Sequence, residues 1–186
     1  DLAYYLIHSM SSTSTSFERL ESSCATHFKN YIQTTICQQV IYLSGIVNDN
    51  HLSKHLRSRK KVENILSKGK FNLTTFRAGI IVGSGSASFE IIRDLVEKLP
   101  VMITPKWLLT KTQPIAVSDV ILFLSRAVLK KELYNNAYDI TGTEILTYKE
   151  MLLQFANVRG FKRYITTVPI MTPKLSSYWL YFVTTT

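Results

Sequence analysis

Apolar positions along the chain follow two spacings. Short, nearly continuous apolar runs at residues 2–8, 39–44 and 73–82 predict buried strands. Between them the period is helical. Phe17, Leu20, Cys24, Phe28 and Ile32 share one face of a helix predicted over 17–34. A polar, strongly basic helix over 51–68 follows and stops at Gly69, a favourable C-terminal cap. Phe89, Ile91, Ile92, Leu95, Val96 and Leu99 predict a helix over 88–98. Pro100 and Pro105 punctuate an irregular piece that contains Trp107. Residues 113–117 read as a short extended segment, and Ser118 caps a helix running to Lys130. A short strand over 137–140 comes next. Thr147 and Glu150 have the spacing of a capping box, and Gly160 closes the helix they open. Residues 164–169 predict a last strand, and Pro173 opens a short aromatic helix.

Strands alternating with helices predict an α/β fold: a doubly wound, mostly parallel sheet covered on both faces. A length of 186 residues with 46% hydrophobic content suffices for a real core. The most informative stretch is 76–86, where the apolar run Ala78 to Val82 stops at the turn Gly83-Ser84-Gly85 before a helix. In an α/β sheet, such turns at the carboxyl ends of strands are where ligands bind.

The order of motifs carries a resemblance. A strand ends in Ser44-Gly45, a helix ends in Val62-Glu63-x-x-Leu66, and a strand reads Arg77-x-Gly79-x-Ile81-x-Gly83. This resembles the second half of the extended and atypical short-chain dehydrogenase/reductases, the NAD-dependent epimerase/dehydratase-like and NmrA-like Rossmann proteins. Ala3 to Met10 looks like the fourth strand of one atypical branch, and Thr172 to Leu180 is similar to the end of its substrate-side region. The resemblance implies a Rossmann-like fold, NAD or NADP as cofactor, and an oxidoreductase- or epimerase-like activity on a small molecule. It divides one compact unit into residues 1–130, the C-terminal part of an NAD(P)-binding domain, and 131–186, a smaller substrate-side region. The family's Gly-x-x-Gly-x-x-Gly turn is not in this sequence. The expectation is therefore a sheet lacking its first strands and a longer natural protein; the alternative is an independent fold in which the first strand pairs elsewhere.

The family's active site uses a Ser or Thr at a strand end and a Tyr-x-x-x-Lys pair, which this chain does not contain. Anchored on Val62-Glu63, the Lys position falls on Arg59 and the Tyr position on His55; the Ser position falls on Ser44 or Gly45. His55 and Ser44 are the candidates for catalysis, His55 as an acid/base because imidazole titrates near neutrality. Arg59 offers a fork for ribose or phosphate oxygens. The competing reading makes His55 and Arg59 exposed helix residues. The resemblance places His8, Ser9, Ser44, Gly45, Arg59, Ala78, Gly79 and Gly83 around one cofactor crevice. Asp119 matches an acid that caps a helix or orders the substrate loop. Trp107 with Pro105 belongs either to the substrate side or to the core.

The net charge of +9 concentrates in Lys54, Arg57, Arg59, Lys60, Lys61, Lys68 and Lys70. No aromatic residue interleaves with them, so they read as a solvated helix face, which also suits an anionic cofactor; a nucleic-acid surface is the weaker alternative. Cys24 and Cys37 make no disulfide framework and point to free thiols in the cytoplasm. No apolar run reaches the ~20 residues of a membrane helix, and no His/Cys/Asp/Glu cluster has metal-ligand spacing. The substrate is unidentified, and a homo-oligomer stays open. Two function classes follow: an NAD(P)-dependent oxidoreductase, or a non-catalytic dinucleotide-binding sensor or scaffold.

Overall fold

A computed structural model describes residues 1–7, 16–47 and 54–168. In chain order the elements are β1 (Leu2–Tyr5), α1 (Ser16–Ile32), β2 (Gln39–Gly45), α2 (Lys54–Leu66), β3 (Asn72–Ala78), β4 (Ile81–Val82), α3 (Ala87–Lys98) and β5 (Val101–Pro105). Then come β6 (Lys111–Thr112), β7 (Ile115–Ala116), α4 (Val117–Arg126), β8 (Asn136–Ile140), β9 (Leu146–Thr147), α5 (Tyr148–Val158) and β10 (Tyr164–Val168). They form two compact units: residues 1–79 with 118–140, and 80–117 with 141–186. The chain thus crosses between units at 79/80, 117/118 and 140/141, and no crossing falls at the expected 130/131 boundary.

The first unit is an α/β layer around a sheet of order β1-β2-β3-β8, parallel throughout. Strand alternation sends Tyr5, Val40, Tyr42 and Leu73 to one face, where they bury against Ala25 of α1 and Val62 and Leu66 of α2. Each large side chain so buried contributes about 1.5–3 kcal/mol. The opposite face carries Gln39, whose amide donates to Thr74 Oγ1 at 2.9 Å and to Ala127 O at 3.1 Å, and whose oxygen accepts from Leu129 N at 2.6 Å. A fully buried glutamine is kept because all three of those bonds are made.

In the second unit α3 and α5 enclose Ile92, Leu95, Val96, Met102 and Leu152. Ser86 caps α3 by accepting from Phe89 N, and Thr147 with Glu150 forms the predicted capping box of α5. Three two-stranded ladders complete it: parallel β5–β10 and β4–β7, and antiparallel β6–β9.

Three sequence expectations are corrected. The single strand over 73–82 is two strands: the chain leaves the first sheet at Gly79, and Ile81–Val82 pairs with Ile115–Ala116 in the second unit. A continuous apolar run cannot report that break, because both halves are apolar: Leu73 and Phe76 are buried in the first unit, and Ile80 and Val82 pack, half-buried, against the core of the second. Residues 101–105 are a strand, not an irregular piece; Pro105 sits at its end, where no further ladder donor is needed. The inner face of α1 is shifted by one residue. Glu21 and Ala25 are buried with Phe28 and Ile32 packed against the core, whereas Leu20 and Cys24 are exposed. The cause is a buried polar contact, Ser58 Oγ donating to Glu21 Oε2 at 2.5 Å, which an apolar-face count reads as solvent side.

Candidate functional site

Strands β2 and β3 pair in register from Gln39 opposite Asn72 to Gly45 opposite Ala78. Parallel pairing brings their carboxyl ends to one edge of the first unit, with Ser44 beside Arg77. Two backbone bonds fix that edge: Ile46 N donates to Ala78 O at 3.1 Å, and Gly79 N donates to Ile140 O at 3.4 Å. Ser44, Gly45, Ala78 and Gly79 are therefore brought together. A Cβ on Gly45 would lie 3.1 Å from Leu56 Cδ2, so α2 closes tightly over this strand end.

Ser44 is 5% exposed, and its Oγ is buried with no hydrogen-bond partner among the described residues. A buried hydroxyl without a partner costs about 1–3 kcal/mol. Tyr42, two residues earlier on the same strand face, donates instead to Arg59 O at 3.3 Å. The Ser44 hydroxyl stands near the Tyr42 phenol and favours its ionised form without meeting hydrogen-bond geometry. Burial outweighs that influence and the Arg59 charge, and pushes the Tyr42 phenol above its ordinary pKa. Burial likewise pushes Tyr5 up to about 12.

Of the residues spaced four apart along one line of α2, His55, Arg59 and Glu63, the last two pin the helix to the sheet. Glu63 accepts two bonds from Arg77 of β3, at 2.7 and 3.2 Å, in a half-buried bidentate pair. Arg59, half-buried, donates from Nη1 to Leu43 O at 3.4 Å. One turn earlier His55 is exposed. The Arg59 guanidinium is thus held at the same strand end as Ser44.

The remaining candidates lie in other elements or outside the described residues. His8, Ser9, the segment Thr172–Leu180 and the helix expected from Pro173 lie outside the described residues. Gly83 belongs to the second unit, where a Cβ would collide with the Val117 side chain. That close approach of β4 to the start of α4 accounts for a glycine there. Asp119 sits in the first turn of α4, where a carboxylate complements the helix dipole. Trp107 meets Tyr148 edge to face at 5.6 Å between ring centres, and both line an apolar cavity of about 270 Å³ in the second unit. Among the described residues no His/Cys/Asp/Glu group is placed to hold a metal ion, and no helix is long and apolar enough to cross a membrane.

Sequence reasoning missed the Glu63–Arg77 pair and Tyr42. Both ends of the ion pair stood in the motifs used for alignment, but nothing in their spacing shows that they meet.

No protein-family model matches the sequence, and no curated protein matches it. Solved structures do match in shape. An epimerase from Methanothermobacter thermautotrophicus superposes with a TM-score of 0.78 at 11% identity, covering 92% of this chain and 60% of its own. The two share a Rossmann-like, mostly parallel α/β fold. The UDP-glucose 4-epimerase of Thermotoga maritima matches at 0.74 and 12% identity, covering 94% of this chain and 66% of its own. The UDP-glucuronic acid 4-epimerase of Bacillus cereus, solved with UDP-glucuronic acid and NAD, matches at 0.71 and 13%, covering 91% and 62%. The chain therefore spans 60–66% of the length of these three structures.

Proposed function

We propose that the chain is the strand-end half of an NAD(P)-binding site in an epimerase- or dehydratase-like oxidoreductase acting on a small molecule. The observation that carries this is the Ser44 hydroxyl, buried and unpartnered at the carboxyl end of a parallel sheet of this fold. The donor set suits the cofactor. Ser44 offers a hydroxyl without a partner among the described residues, and Arg59 a fixed guanidinium. Bound NAD(P) would supply hydride transfer. This chain's own residues would hold ribose or phosphate oxygens at Arg59 and orient a polar group at Ser44. Cys24 and Cys37 are free thiols, in keeping with a cytoplasmic protein.

A second reading, a dinucleotide-binding sensor or scaffold, is favoured by one observation: the Tyr-x-x-x-Lys positions hold His55 and Arg59. Titration calorimetry with NAD and NADP tests both, on this chain and on any longer natural polypeptide that carries it. Because the chain has no glycine-rich pyrophosphate turn, its own affinity is expected to be weak, with Kd on the order of 1 mM. Arg59→Ala should weaken binding about tenfold and His55→Ala should leave it unchanged. Tight binding that is indifferent to both Arg59 and Ser44 would remove the strand end from the site. Rapid turnover of a carbonyl substrate abolished by His55→Ala would reject the sensor reading.

A further inference from the structure

We propose that the second unit carries a binding site for a neutral, largely apolar small molecule with one hydrogen-bonding oxygen, in the cavity between α3 and α5. This goes beyond the dinucleotide proposal and does not depend on it. The cavity walls are Ile80, Ile91, Ile92, Leu95 and Leu152, with the Trp107 and Tyr148 rings at right angles to one another on one side. At about 30 Å³ per water, 270 Å³ holds about nine waters or one small ring system. Concave, apolar and aromatic-walled, with few polar groups, it has the character of a ligand pocket.

Two of its lining residues carry a hydroxyl, Ser88 and Tyr148. The Tyr148 hydroxyl has no hydrogen-bond partner among the described residues, and burial alone raises its pKa, so it stays a neutral donor at any physiological pH. Trp107 and Ile91 are each 40% exposed, an unusual amount of large apolar surface left at the mouth of a cavity. No Lys, Arg, Asp or Glu lines the cavity. A nucleotide sugar carries a pyrophosphate, and binding one calls for cationic or multiple amide donors. The epimerases that share the fold are solved with UDP-sugars; this cavity selects against that class and for an uncharged ring or short branched chain bearing a carbonyl or hydroxyl.

The test uses the full chain with Trp179→Phe, which leaves Trp107 as the single tryptophan of the two. Camphor, cyclohexanone and geraniol are the probes, followed by Trp107 emission and calorimetry, with UDP-glucose as the charged comparison. At least one probe should bind saturably with Kd of roughly 0.1–1 mM and shift the emission. Tyr148→Phe should weaken that probe about fivefold, the loss of one neutral hydrogen bond. Ile91→Arg, at the exposed rim, should weaken it further while the thermal transition stays in place. No response to any of the three by a folded chain would overturn the proposal, as would UDP-glucose binding that quenches Trp107. Failure of NAD(P) titration would leave these results untouched, so the two proposals fail separately.

Discussion

Replacing Ser44 by alanine should make this protein more stable. The hydroxyl is 5% exposed and has no hydrogen-bond partner among the described residues. Its burial without a partner costs about 1–3 kcal/mol. Removing one oxygen atom leaves a small void, worth about 0.5 kcal/mol at most. The net expectation is a gain of about 1 kcal/mol, or about 2–4 °C in Tm for a chain of this size. Urea unfolding followed by circular dichroism measures it: the midpoint should rise at constant slope. The same substitution should weaken NAD(P) binding, because the group that costs stability is the one proposed to meet the ligand. A loss of 1 kcal/mol or more would show that the hydroxyl is already satisfied within the fold, and the proposed site would lose its main support.

Three further perturbations probe the scaffold. Tyr5 has a folded-state pKa raised from 10.0 to about 12, so the folded state holds its proton where the unfolded chain has lost it. The stability it contributes is complete below pH 10 and is lost as pH rises toward 12, by about 1–3 kcal/mol; Tyr5→Phe should flatten that alkaline limb in a pH series of urea midpoints. Glu63→Gln leaves the half-buried Arg77 with one weaker bond and should cost about 1–2 kcal/mol, read by thermal unfolding; no loss would mean that α2 is held by its apolar face alone. Gly83→Ala drives a Cβ into the stiff, β-branched Val117 and should cost about 1–3 kcal/mol; the same substitution made on a Val117→Ala background should cost less, since the nearest atom, Val117 Cγ1, is gone, and an equal cost there would assign the glycine to something other than close approach.

Much of the fold was legible because the chain announces elements by period. The runs at Val40–Leu43 and Leu73–Phe76, and the capping box at Thr147, are local signals that tertiary contacts did not override. The break at Gly79 was not legible, since apolar periodicity reports burial and not which sheet a strand joins. The α1 face was misjudged for the opposite reason: Glu21 is buried by a polar partner, Ser58, that lies 37 residues away. At the candidate site, spacing placed His55 and Arg59 on one helical line and Ser44 at a strand end. It could not show that Arg59 reaches Leu43 O or that Ser44 lacks a partner, because both depend on how α2 lies across β2.

The geometry also bears on the choice between turnover and binding. In the family that the motifs resemble, a phenolate beside a lysine exchanges a proton with the substrate hydroxyl, and general acid–base help of this kind is worth about 10²–10⁴-fold. Tyr42 is a phenol at the same end of β2, but its proton is directed to Arg59 O and burial moves its pKa up, away from the phenolate. A guanidinium offers donors and no acceptor, so Arg59 can hold an oxyanion but is no base for a substrate proton. Glu63 on the same helical line is engaged by Arg77, and His55, the candidate acid/base, is exposed at the start of α2. On the proposed reading, Ser44 and Arg59 are the groups that meet a dinucleotide, whereas neither the Tyr42 phenol nor the Arg59 guanidinium is set up to exchange a proton. That asymmetry makes affinity, rather than turnover, the property most directly governed by the residues that the fold brings together.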